Sequence, residues 1–178
     1  MKMNVLEIII RSAATAITAA GFFFGIRQWK KGLAGKRSEY IYSLIEKVRS
    51  DEDIREAYYL IEYNNDWYDE YFHENTSLEP KMDKMLTYFS YVCYLYKVKE
   101  ISDDEFSFFK YNIEWILMNS GVINYLYNLY HFSKSMGIKN FSFKYLLEYG
   151  KAHDLVDDDF YNRESYKSNQ KYSGFLNF

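Results

Sequence analysis

The chain has 178 residues, enough for one domain with a real core, and its single proline and eight glycines favour long helices over a many-stranded sheet. A lone cysteine, Cys93, excludes an internal disulfide, and its apolar setting in "YFSYVCYLY" marks it as a buried, inert thiol. The net charge of −3 is unevenly spread: residues 1–37 carry seven basic side chains against Glu7, so the rest of the chain is at −9, which is not the footprint of a general nucleic-acid binder.

The first predicted element is a helix over 4–26, "NVLEIIIRSAATAITAAGFFFGI". At ~1.5 Å per residue it would span roughly 34 Å, enough to cross a ~30 Å hydrocarbon layer. Glu7 and Arg11 are the objection, since a charge at mid-bilayer costs about 2.5–3.5 kcal/mol. Their spacing answers it. Glu7, Arg11, Ala14, Thr18, Gly21 and Gly25 follow one another at intervals of 4, 3, 4, 3 and 4, which puts them on one helical stripe. Ile9, Ile10, Ile17, Phe22, Phe23 and Phe24 fall on the remaining surface. A stripe of this kind belongs against other protein or water, so the pattern predicts self-association, with small residues allowing close backbone approach and Glu7 and Arg11 pairing or lining a pore. A cleaved signal peptide and a surface-lying amphipathic helix compete with this reading. Arg11 interrupts the apolar core of the first, and the second would have an unusually narrow, lysine-poor polar face.

Arg27, Trp29, Lys30 and Lys31 follow as membrane-interface anchors, and with Lys36 and Arg37 they keep the C-terminal side in the cytoplasm, with a very short tail outside. The expected organisation is therefore a membrane helix over 1–27, a basic neck over 28–37 where Gly32 and Gly35 break periodicity, a helical bundle over 38–153 and an acidic, polar tail over 154–178.

Within the bundle, Ser38 caps a helix bearing Ile41, Leu44, Ile45 and Val48, and Asp51 or Asp53 starts another with Ile54, Ala57 and Ile61. Ser77 and Pro80 open the strongest helix, with Met82, Met85, Leu86, Phe89, Val92 and Cys93 on one face. Ser102 and Glu105 form a capping box, Gly121 separates the next two helices, Gly137 closes the second, and a last helix covers about 142–152. The sum is an all-α fold: the membrane helix and five or six bundled helices. The tail is either a flexible extension or a partner-docking segment. Most of the 20 tyrosines and 14 phenylalanines recur at helical spacing and read as packing.

Chemistry is sparse. There is no phosphate loop, paired cysteine motif or nucleophile elbow, so neither cofactor nor metal is expected and no catalytic residue is assigned. His73, with Asp69 and Asp66 on one helical face, is the only arguable ligand set, and a solvated acidic loop explains it equally well. His131 reads as packed, and His153 as a helix-end imidazole suited to the dipole.

The stretches "VLEIIIRSAATAITAAGFFFGIRQWKK" and "MDKMLTYFSYVCYLYKVKEIS", with the chain length and aromatic-rich helical body, resemble the small membrane-pore accessory protein of type VI-B CRISPR systems. The resemblance implies a divergent HEPN-like bundle in the cytoplasm and an octameric ring around a central pore in the bacterial inner membrane. It also implies a role in antiphage defence beside an RNA-guided RNA-cleaving effector, by permeabilising or depolarising that membrane. HEPN ribonucleases carry an arginine followed about four to six residues later by histidine, and no arginine here is so placed. The expectation is a non-enzyme without direct nucleic-acid contact. The alternative is a membrane-tethered HEPN-like RNase or RNA-binding module, with Arg163 and His153 brought together by folding.

Overall fold

The computed structural model describes residues 5–63, 67–74, 77–168 and 170–178; within the first helix the side chains described are those of Thr18 and of Gly21 onward. The described residues form helices and turns and no strand. They divide into two compact units, 1–44 and 45–178.

Helix α1 (Val5–Ser50) is 46 residues long, about 69 Å at ~1.5 Å per residue. It passes through Gly32 and Gly35 without interruption, so the expected break in the basic neck is absent, and Ser38 lies inside the helix rather than capping a new one. Two glycines cost about 1 kcal/mol each. Leucine, alanine, lysine and arginine around them are strong helix formers, and no proline intervenes. Among the described residues no helix is long and apolar enough to cross a membrane. The side chains of Glu7, Arg11 and Ala14, on which the predicted span depends, lie outside those described.

The second unit holds α2 (Glu52–Tyr63), α3 (Glu79–Lys97), α4 (Asp103–Met118), α5 (Ser120–Ser135), α6 (Lys144–Ala152) and the single turn α7 (Ser165–Ser168). Short 3₁₀ turns lie at Phe72–Glu74 and Asp158–Tyr161. Asp51 precedes α2 and accepts from the Ile54 N–H at 3.4 Å, while Lys47 and Lys84 flank its buried carboxylate at 2.6 and 2.8 Å. These cations hold its pKa well below the ordinary carboxylate range.

α3 is the hub, packed against α2 on one side and α6 on the other, with α4 beside it. Met82, Met85, Leu86, Phe89 and Val92 are wholly buried, as their periodicity predicts. At about 1.5–3 kcal/mol per large apolar side chain, this face is a main source of the bundle's stability. Burial also raises the Cys93 thiol to about 12, which keeps it protonated and inert. Helix α3 starts at Pro80's turn, but its N-cap is Leu78, without a side-chain cap, rather than Ser77.

The predicted capping box at Ser102 and Glu105 forms in full. Gly121 does not separate α4 from α5; it lies in α5's first turn. Asn119 is both the C-cap of α4 and the N-cap of α5, its Oδ1 accepting from the Val122 N–H at 3.0 Å. Gly137, at φ +73°, closes α5 in the left-handed conformation that glycine adopts at least cost.

The described part of the tail over 154–178 folds onto its own bundle rather than running off as a loose extension. Asn128 on α5 accepts the Phe175 and Leu176 N–H groups at 2.7 and 3.0 Å and donates to the Ser173 carbonyl at 2.6 Å. Asn124, one turn earlier, accepts the Ser173 N–H at 2.8 Å. Tyr172 stacks on Tyr127 at 4.4 Å, and both Phe160 and Tyr172 are buried. Two asparagines at i and i+4 thus pair with the backbone of a segment whose composition alone suggests disorder.

Candidate functional site

The side chains singled out on α1 share one helix and, where described, are exposed. Thr18, Arg27, Lys30 and Lys31 are open to solvent, as are Gly21 and Gly25. A Cβ added at either glycine, or at Gly32 or Gly35, would meet nothing within 4 Å. Continuity of the helix therefore carries the 4-3 spacing onward from Gly25 through Gln28 and Gly32 to Gly35. Beside this stripe stand Phe22, Phe23 and Phe24, exposed by 66, 70 and 73 %, and Trp29 at 66 %. Large apolar side chains in such a run ordinarily find a partner surface.

In the second unit the histidines are structurally engaged. His73 Nδ1 lies 2.8 Å from Glu79 Oε1 and donates to it, leaving Nε2 to accept the Tyr68 hydroxyl at 2.9 Å. Tyr125 stacks beside the imidazole and donates to Asp83 at 2.6 Å. Desolvation of Asp83 raises its pKa despite that hydrogen bond. The network seals the 67–74 loop against α3 and α5. The imidazole's partners are Glu79 of α3 and Tyr68 of its own loop; Asp66 lies outside the described residues, and no group of metal-ligating side chains occurs among the described ones.

His131 is buried and donates from Nε2 to the Phe160 carbonyl at 2.9 Å. Burial lowers its pKa below the usual imidazole value, with Arg163 and Lys134 adding electrostatic pressure in the same direction. His153 stacks on Tyr149 at 4.0 Å and donates to its carbonyl at 2.9 Å. Arg163 shares a concavity with His131, while His153 lines a different one with Tyr149 and Tyr145.

Two adjoining concavities lie between α5, α6 and the 3₁₀ turn at Asp158–Tyr161, about 240 and 370 Å³, with Tyr130, Lys134 and Tyr161 common to both. Lys139 and Lys144 reach the first, Arg163 the second. Tyr130 packs edge-on against Tyr161 and Phe141 at 5.6 Å each, with Lys134 over its face at 5.5 Å. Sequence reasoning passed over this cluster, although "YHFSKSMGIKNFSFK" interleaves aromatic and basic residues around a glycine turn. No protein-family model matches the chain, nor does any curated protein or solved structure.

Proposed function

We propose that the protein inserts α1 into a membrane and self-associates along it, forming a homo-oligomeric pore whose HEPN-like bundle stands on the cytoplasmic side of a bacterial inner membrane. The exposed Phe22–Phe24 run carries the reading. Moving three phenylalanines from water into an apolar medium is worth on the order of 5–9 kcal/mol, and among the described residues these three rings remain mostly exposed. Trp29 and the cations Arg27, Lys30 and Lys31 then sit where interface anchors belong. The glycine-bearing stripe, repeating every 3.5 residues along an unbroken helix, supports close packing against neighbouring copies in a left-handed supercoil. The proposed span takes in residues 4–26, most of whose side chains lie outside the described ones.

The resemblance to the type VI-B CRISPR accessory pore supplies the wider setting: an octameric ring that strengthens RNA-targeting antiphage defence by permeabilising or depolarising the membrane. The test is direct. Full-length protein reconstituted with dye-filled liposomes should release dye, and its mass in detergent should be a multiple of the chain's. A monomer that floats free of liposomes overturns the proposal.

A further inference from the structure

The basic-aromatic groove between α5 and α6 has no part in membrane insertion, and its chemistry is selective. Lys134, Lys139, Lys144 and Arg163 border it together with the carboxylate of Glu148, which pairs with Lys97 at 2.8 Å and with Lys144 at 3.8 Å. Two acids of the tail are paired with lysines: Asp158 with Lys151 at 2.7 Å and Glu164 with Lys167 at 2.6 Å. A local surplus of cations on a bundle whose overall charge is negative attracts a compact anion but repels a long polyanion. The walls add a second requirement. Tyr130, Phe141 and Tyr161 meet edge to face and are each only half-buried, so part of their ring surface remains open to a planar group. Each concavity, at about 240 and 370 Å³, lies near the low end of ligand-pocket sizes, which begin at about 300 Å³.

We propose that this groove binds a small nucleoside phosphate, its base against Tyr130 and Tyr161 and its phosphates held by Lys134, Lys139 and Arg163. Arginine supplies a fork suited to phosphate oxygens, lysine a mobile point charge, and base–aromatic stacking adds affinity that a bare phosphate does not receive. The inference stands on the second unit alone and is independent of what α1 does.

The experiment uses full-length protein in detergent and a fluorescent adenosine diphosphate, read by anisotropy. Saturable binding is expected, weakened at least tenfold by Lys134→Ala with Arg163→Ala, both exposed, with no change in melting temperature. Unlabelled adenosine diphosphate should compete at least tenfold better than inorganic pyrophosphate. Equal competition by pyrophosphate overturns the stacking role, and undiminished binding by the double variant overturns the site. Competition by a decameric oligoribonucleotide more than tenfold stronger than that by the mononucleotide overturns the commitment to a small ligand. Absence of saturation up to millimolar nucleotide overturns the proposal entirely.

Discussion

Replacing Asn119 by alanine should be among the costly polar deletions in the bundle. Its Oδ1 accepts from Trp67 Nε1 at 3.1 Å and from the Val122 N–H at 3.0 Å, and its Nδ2 donates to the Ile61 carbonyl at 2.9 Å. One side chain therefore caps α5, closes the last turn of α2 and fixes the indole of the 67–74 loop. Loss of an N-cap is worth about 1 kcal/mol. Trp67 is buried, so stranding its N–H adds about 1–3 kcal/mol, and the orphaned carbonyl adds about 1 more. The total, roughly 3–5 kcal/mol, is a large share of the ~5–15 kcal/mol that a typical domain possesses. At about 2–4 °C per kcal/mol for a chain of this size, the melting temperature should fall by roughly 10 °C. Urea denaturation followed by tryptophan fluorescence reads the free energy, and a thermal melt reads the temperature. Asn119→Ser retains a capping hydroxyl but cannot span to Trp67 and Ile61, so it should recover only about 1 kcal/mol. A loss below about 1.5 kcal/mol for alanine, or full recovery with serine, would refute the bridging role.

Gly150→Ala should destabilise the bundle by about 1 kcal/mol in the same assay, because its Cβ would meet Val156 Cγ2 at 2.6 Å and Leu117 Cδ1 at 3.2 Å, outweighing the helix-propensity gain. Gly35→Ala, with nothing within 4 Å, should instead gain up to about 1 kcal/mol. His131 has a folded-state pKa below its unfolded value, so the native state binds fewer protons and stability falls as pH drops from about 6.5 toward the lower folded pKa; His131→Gln should flatten that slope, which cannot exceed about 1.4 kcal/mol per pH unit for one proton. An unaltered slope in urea titrations between pH 5 and 7 would assign the proton elsewhere. In liposomes, Gly21→Leu or Gly25→Leu should lower dye release while Phe23→Leu leaves it nearly intact; equal release from all three would remove the stripe from the assembly.

The hub helix and the capping box were legible because local rules agree there with tertiary packing. Met82, Met85, Leu86, Phe89 and Val92 recur at helical spacing and are buried accordingly, and Ser102 and Glu105 close their box within four residues. Where sequence and structure differ, the cause is a long-range partner that local punctuation does not encode. Gly121 looks like a separator, yet Asn119 ends α4 because its amide finds Trp67 and Ile61, which lie 52 and 58 residues away. Gly32 and Gly35 look like a break, yet a glycine's cost of about 1 kcal/mol is too small to stop a helix with good formers on both sides. The tail reads as polar and low in aliphatics; Asn124 and Asn128 reverse that reading by satisfying its backbone, a role no periodicity encodes. The basic-aromatic groove was missed for the same reason, since Arg163 joins Lys134 only through the fold of that tail.

The two units differ in their use of aromatic side chains: the bundle seals a core of rings while leaving others such as Phe108 and Tyr111 exposed, whereas Phe22, Phe23, Phe24 and Trp29 on α1 are all exposed. In the bundle, Tyr125, Tyr127, Phe89, Phe109 and Phe160 are sealed, and the two tyrosine hydroxyls are hydrogen-bonded to Asp83 and to the tail backbone. Phe22, Phe23 and Phe24 are consecutive and have no counterpart in the bundle, where the exposed rings are spread over several elements. On α1 the same residue types stand beside glycines that gain no contact from their small size. Each feature alone lowers the stability or solubility of a single chain, and a bilayer around the rings with a neighbouring helix at the glycines removes both penalties at once.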